Sequence, residues 1–190
     1  KKVFLKGTLI LACTGLVSRI AGFFYRIFLS HAIGAEGLGL YQLVLPLQGL
    51  MAALSYAGIQ SALSRLIAGR LALQEKKEAR FSLVTGILAA VFFSAVTGFL
   101  LFQYADFFAS MILKAPGTAD LLRLSAVSIP LCAVHSCIDS YYYARKKASV
   151  PAVVQLTEQT VRIGATYILY LIFLSENRPV TALIAAGGSL

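Results

Sequence analysis

The chain has 190 residues, 58% of them hydrophobic and only 13% charged, and its mean hydropathy is +0.79. A water-soluble domain carries roughly a quarter of its residues as charges. The composition therefore excludes a disordered chain, a collagen-like repeat and a disulfide-rich secreted module. It argues against a soluble enzyme and fits a protein that crosses a membrane several times.

The predicted elements are all helical and membrane-spanning, an all-α polytopic bundle. The first covers residues 3–29 and carries Arg19 and Arg26. The second, at 39–66, overlaps an uncharged run of 28 residues (37–64) broken by Pro46 and several glycines. Such breaks are tolerated where neighbouring helices re-satisfy the backbone. Gly34, Gly37 and Gly39 read as the turn between these two helices, not as a nucleotide-binding loop, because no strand precedes them. The third helix, 81–104, opens a stretch of 25 residues without a charge (81–105), against the ~20 that a hydrocarbon core requires. The fourth covers 121–144 with Pro130 inside it, and the fifth 150–174 with Glu158 and Arg162 inside it. A sixth apolar run starts at 180 and stops at 190, too short to cross. The chain also opens on Lys1 rather than Met, so it is expected to be one piece, the N-terminal lobe, of a longer protein whose C-terminal lobe is absent. Residues 1–13 have the outline of a lipoprotein signal ending at Cys13. The apolar run 7–12 is short, however, and hydrophobicity continues past the cysteine, so cleavage is not expected.

The net charge of +9 comes from 17 basic and 8 acidic side chains. Eleven of the basic residues fall at the head of the first helix (Lys1, Lys2, Lys6), around the second loop (Arg65, Arg70, Lys76, Lys77, Arg80) and in the fourth loop (Arg145, Lys146, Lys147). The opposite loops hold Lys114, Arg123 and Arg178 beside Glu36, Asp106, Asp120 and Glu176. The positive-inside rule then places the N-terminus in the cytoplasm of a multi-pass protein in a bacterial cytoplasmic membrane, and no nucleic-acid partner is expected. Tyr141, Tyr142 and Tyr143 sit beside one basic cluster and Tyr104, Phe107 and Phe108 at the opposite level, as interfacial aromatics do. The three cysteines, inside apolar stretches, read as reduced thiols.

Charges at membrane depth cost about 2.5–3.5 kcal/mol each on insertion scales, so they mark function unless they are paired. Arg19 and Arg26 are two turns apart on one helical face, with Thr8, Ala12, Gly15 and Gly22. Ile10, Val17, Ile20, Phe24 and Ile27 take the other side. That face supports either close helix packing through glycines or a cationic, water-filled cavity. In the fifth helix Gln155, Glu158, Gln159, Arg162 and Thr166 share one arc. Glu158 and Arg162, spaced i,i+4, are either a self-neutralised ion pair or a protonatable or cation-binding acid beside a substrate-binding arginine. Three cations against one acid attract anions, and guanidinium matches phosphate bidentately, so a phosphate or pyrophosphate head group is the ligand class. Cys132, His135 and Asp139 share a face of the fourth helix, but one such trio on one helix is a weak metal signature. No metal and no cofactor are expected. No phosphate loop, nucleophile elbow or carboxylate pair appears, and the chain is not read as an enzyme.

The run SRIAGFFYRIFLSHAIGAEGLGLYQLVLPL (18–47) resembles the opening of bacterial polysaccharide-biosynthesis membrane proteins. The stage V sporulation protein B-like branch of the multidrug/oligosaccharidyl-lipid/polysaccharide export superfamily is the nearest group. The run PAVVQLTEQTVRI (151–163) matches that branch's fifth-helix pattern. The resemblance implies two helical lobes around a cavity that opens alternately to each side, and transport of undecaprenyl-linked sugar precursors for cell-wall or spore-cortex synthesis. It also implies cavity arginines in the first helix. Arg19, in its Ser-Arg-x-x-Gly setting, matches the first of these, while Arg26 is shifted by one residue from the second. The lipid II flippase's second-helix arginines have no counterpart, since the region around Ala52 and Ala53 is uncharged.

The reading that follows is a flippase for an undecaprenyl-pyrophosphate-linked oligosaccharide or peptidoglycan precursor. Arg19, Arg26, Arg162, Gln155 and Gln159 bind substrate in it, and Glu158 either positions Arg162 or answers a coupling ion, proton or sodium. Its partners are the anionic lipid-linked sugar and membrane lipids. The alternatives are a cation-coupled multidrug exporter of the same superfamily and a non-transporting membrane scaffold for cell-wall synthesis.

Overall fold

A computed structural model of the chain describes residues 2–175. Among these the secondary structure is helical throughout: α1 (Lys2–Ala52), a π turn (Ala53–Ala57), α2 (Gly58–Ala72), α3 (Lys76–Gln103), the single turn α4 (Ala105–Phe107), a second π turn (Phe108–Ile112), a 3-10 turn (Pro116–Thr118), α5 (Ala119–Ala144) and α6 (Ser149–Ser175). The expected start of a sixth span at 180–190 lies outside the described residues.

α1 is two helices joined at Gly34, whose φ of 74° and ψ of 174° belong to a region that only glycine occupies without strain. The chain turns there. Tyr41 packs into the cluster built on Tyr25 and Leu29, whereas a straight helix would hold Tyr25 and Tyr41 about 24 Å apart. The corner is narrower than the glycine spacing suggests. Gly37 and Gly39 are already inside the resumed helix, because one residue in this conformation is enough to redirect the backbone.

Leu11–Ala72, Lys76–Gln103 and Pro116–Ala144 are long and apolar enough to cross a membrane, and the first bends at Gly34 into two helical arms. α6 adds a helix of 27 residues that carries Glu158 and Arg162. The protein is thus an all-α membrane helical bundle. Its large apolar side chains, including Phe24, Leu88, Phe92 and Phe99, point outward, as lipid contact requires.

The helices meet through small residues, the usual way for helix backbones to approach in a membrane. Ala90, Ser94 and Gly98 of α3 are buried at i,i+4,i+8 spacing. They face Ala126, Ala133 and Cys137 of α5, which are also buried. Pro130 lies between these and has no N–H for the Ala126 carbonyl one turn back. That oxygen stands 2.8 Å from where a Cβ on Gly98 would lie. At the next level Gly86 makes room for Leu63 of α2, whose Cδ1 lies 2.7 Å from the corresponding Cβ position. Ser55, in the π turn after α1, donates to the Met51 carbonyl and pairs with Thr97 of α3 at 2.6 Å.

Two core clusters fix the ends of the bundle. One joins Leu63 and Ile67 of α2, Ala79 of α3 and Ala133 and Cys137 of α5, with Leu71, Leu83, Tyr141 and Ala144 around it. The α2–α3 turn, flanked by Arg70, Lys76, Lys77 and Arg80, and the basic α5–α6 loop therefore share one end. The other cluster joins Val44 and Leu47 of α1 to Leu101, Ala105, Ala119 and Leu122. At that end Arg123 bridges Asp106 at 2.7 Å and Asp120 at 3.1 Å.

α2 and α5 stop in the same way. Gln74 and Lys146 adopt positive φ (62° and 57°). The next amide reaches back five residues to the first carbonyl of the motif, Glu75 to Arg70 and Lys147 to Tyr142, each at 3.0 Å. This is a Schellman stop built without glycine. The side chain of Arg70 also pairs with Glu75 at 2.8 Å.

Candidate functional site

The first arm of α1 lies along α6, and the two run parallel: contacts advance together from Gly22 with Gln159 to Tyr25 with Thr166 and then Phe28 with Tyr167 and Tyr170. The seam is a stripe on α1 at i,i+4,i+7,i+11 spacing (Ser18, Gly22, Tyr25, Leu29). Tyr25 Oη and Thr166 Oγ1 are 3.1 Å apart and buried, and Thr166 in turn donates to the Arg162 carbonyl at 2.9 Å. Ser18 Oγ is buried with no hydrogen-bond partner among the described residues.

The arginines flank this seam. At 100° per residue Arg19 and Arg26 sit about a quarter turn from the Gly22–Leu29 stripe. Both are exposed in this chain. Arg26 lines an open groove of about 340 Å³ with Phe23, Ile27, Ser30 and His31. The face that holds the arginines in sequence is thus divided. Gly22 packs against α6, whereas Gly15 has nothing within 4 Å of its Cβ position. Val17, Ile20, Phe24 and Ile27 are exposed on the remaining side.

On α6, Gln155 and Glu158 are exposed, and Gln159 and Arg162 are half-buried. Gln159 reaches toward α1, with Nε2 at 3.7 Å from the Cβ position of Gly22. Arg162 lies within electrostatic reach of Tyr25 and of Cys132. It makes no ion pair within 4.0 Å among the described residues, and neither do Arg19 and Arg26. Glu158 turns to α5, where its Oε1 lies 3.2 Å from His135 Nε2. Spacing along one helix suggested Arg162 as its partner, and a second helix supplies a nearer one. His135 and Asp139 were visible in the sequence only as two-thirds of a weak metal trio. Their relation to Glu158 depends on how α5 meets α6, which no single-helix pattern encodes. No group of three metal-ligating side chains forms among the described residues.

This is an integral membrane protein of helical-bundle type, with guanidinium groups beside one helix pair that form no ion pair among the described residues. The chain belongs to the polysaccharide biosynthesis protein family, which matches residues 4–189. It is 33% identical over 179 residues to stage V sporulation protein B of Bacillus subtilis (strain 168), covering 92% of this chain and 34% of that protein. It is 24% identical over 181 residues to the lipid II flippase MurJ of the same organism, covering 89% of this chain and 33% of the flippase. The chain therefore spans about a third of the length of the curated relatives it matches. No solved structure matches it. The resemblance read from residues 18–47 and 151–163 holds.

Proposed function

We propose that this chain is the N-terminal lobe of a transporter that moves an undecaprenyl-pyrophosphate-linked oligosaccharide or peptidoglycan precursor across the bacterial cytoplasmic membrane. The observation that carries the reading is the parallel α1–α6 pair with Arg19, Arg26 and Arg162 on or beside it, none ion-paired among the described residues. Such groups match a pyrophosphate in charge and in bidentate geometry. The similarity to a lipid II flippase supports the substrate class. Gln155 and Gln159 add neutral donors and acceptors for sugar hydroxyls. The basic residues gathered around the turns at one end of the bundle favour a cytoplasmic N-terminus. Pro46 and Pro130 give the helices points at which to bend as the lobe changes its opening, and a proton or sodium ion drives the cycle.

Titration of the full-length protein with an undecaprenyl-pyrophosphate-linked sugar under native mass spectrometry tests this. Saturable binding is expected, weakened about tenfold or more by Arg19→Ala and by Arg162→Ala, the loss that goes with one charge-assisted hydrogen bond. Binding that both folded variants retain in full would remove the arginines from the site. No binding by the unaltered protein would turn the reading toward a drug exporter or a scaffold.

A further inference from the structure

The polar contact between α5 and α6 is a cluster of three titratable side chains. His135 Nε2 lies 3.2 Å from Glu158 Oε1 across the helix interface and 3.8 Å from Asp139 Oδ2 one turn along α5. The nitrogen is itself shut off from solvent and makes no aligned hydrogen bond among the described residues, although the three side chains around it are part-exposed, at 39%, 47% and 20%. A neutral imidazole can turn only one N–H toward the two carboxylates, as the Nε2–H tautomer, and leaves both of their charges unopposed. Imidazolium puts an N–H donor between them and reduces the cluster's negative charge by one.

The other groups that face the cluster are Cys132 and Tyr143 of α5, Arg162 of α6 and, beside Cys132, Tyr56 of the first π turn. No ion pair from α1, α2 or α3 reaches it among the described residues. A hard cation such as sodium takes oxygen ligands, and the atom at the centre here is an imidazole nitrogen. The ion that fits is the proton.

We infer that His135, held between Glu158 and Asp139, is the group that takes up and releases the coupling proton of this transporter. The inference rests on the transport reading and names its ion and carrier. α6 is tied to α1 through Tyr25 and Thr166 and to α5 through this cluster. The protonation state of His135 thus sets how firmly the α1–α6 pair, with its arginines, is held to the rest of the bundle.

Proton flux and substrate movement measured together test it. Full-length protein is placed in liposomes that contain a pH-sensitive dye and a lipid-linked sugar. Without the side chain, in His135→Gln, proton flux is expected to fall to background while sugar still moves down its own gradient. Asp139→Asn, a milder change, is expected to reduce the flux several-fold without abolishing transport. Undiminished proton flux in folded His135→Gln, or transport that follows sodium alone, would overturn the inference. A second readout does not need transport. In the nitrogen-15 spectrum of histidine-labelled protein, the His135 signal is assigned by its loss in His135→Gln. It is expected to report both imidazolium and imidazole as the pH is varied, and to move in Glu158→Gln. A His135 signal that stays neutral throughout would sink the proton site even if lipid is flipped. A titrating His135 in a protein that moves no lipid-linked sugar would sink the flippase reading instead.

Discussion

Gly98 is the residue on which the close approach of α3 to the α5 backbone depends. Its missing side chain lets α3 close on the Ala126 carbonyl that Pro130 leaves without a helical donor. Gly98→Leu forces the backbones apart, and overpacking of this kind costs about 1–3 kcal/mol. Unfolding in mild detergent, followed by loss of helical circular dichroism, is expected to shift by that amount, with Gly98→Ala in between. A Leu variant as stable as the parent would show that the seam can slide. The Tyr25–Thr166 pair makes a smaller claim. Tyr25→Phe keeps the ring and removes the hydroxyl that meets Thr166 at 3.1 Å, so a loss of about 0.6 to 1 kcal/mol is expected in the same assay. The arginines were legible in the sequence as charges at membrane depth because their cost is a property of the residue. The tie between Glu158 and His135 was not, because it belongs to two helices at once.

At the level of the helix, hydropathy and structure answer different questions. The uncharged run beginning at Phe81 marks where lipid begins, but α3 starts at Lys76 and includes Lys77, Glu78 and Arg80. Charge ends a membrane span without ending a helix. The stops after α2 and α5 were also hidden, because Schellman motifs are usually announced by glycine, and here Gln74 and Lys146 take the left-handed position. An L-residue there carries a cost of roughly 1–2 kcal/mol, which Gly would relieve in part at the expense of unfolded-state entropy. Lys146→Gly is accordingly expected to raise the midpoint of thermal unfolding slightly. Gly34 is the opposite case. Its position was legible as a break between two apolar runs, and Gly34→Val should cost about 1–3 kcal/mol because φ of 74° with ψ of 174° is closed to a branched side chain. Refolding yield and detergent stability of the variant check this, and a stable Gly34→Val would mean that the corner can be made elsewhere.

For the molecule as a whole, the basic residues around the α2–α3 and α5–α6 turns at one end and Arg123 with its two aspartates at the other make a directional claim. Single cysteines at Lys146 and at Asp120, in a background without the three native cysteines, are expected to react with a membrane-impermeant thiol reagent from opposite sides, Lys146→Cys from the cytoplasm. Labelling of both from one side would refute the topology. The all-α class was legible from composition and uncharged runs, which report on solvent and not on neighbours. Which helices touch was not legible, because the contacts run through alanine, serine and glycine, residues with little hydropathy signal of their own. The parallel pairing of α1 with α6 has a consequence in time. Tyr25 and Thr166 are separated by 141 residues, and a ribosome adding about 5–20 residues per second needs roughly 7 to 28 s to supply the second after the first. The earlier of these two helices, with two arginines and a serine–tyrosine stripe, therefore waits in or beside the bilayer for the partner that covers it. Insertion of this protein is a matter of schedule as well as hydrophobicity, and slowing translation between α1 and α6 lengthens the interval in which the stripe is uncovered.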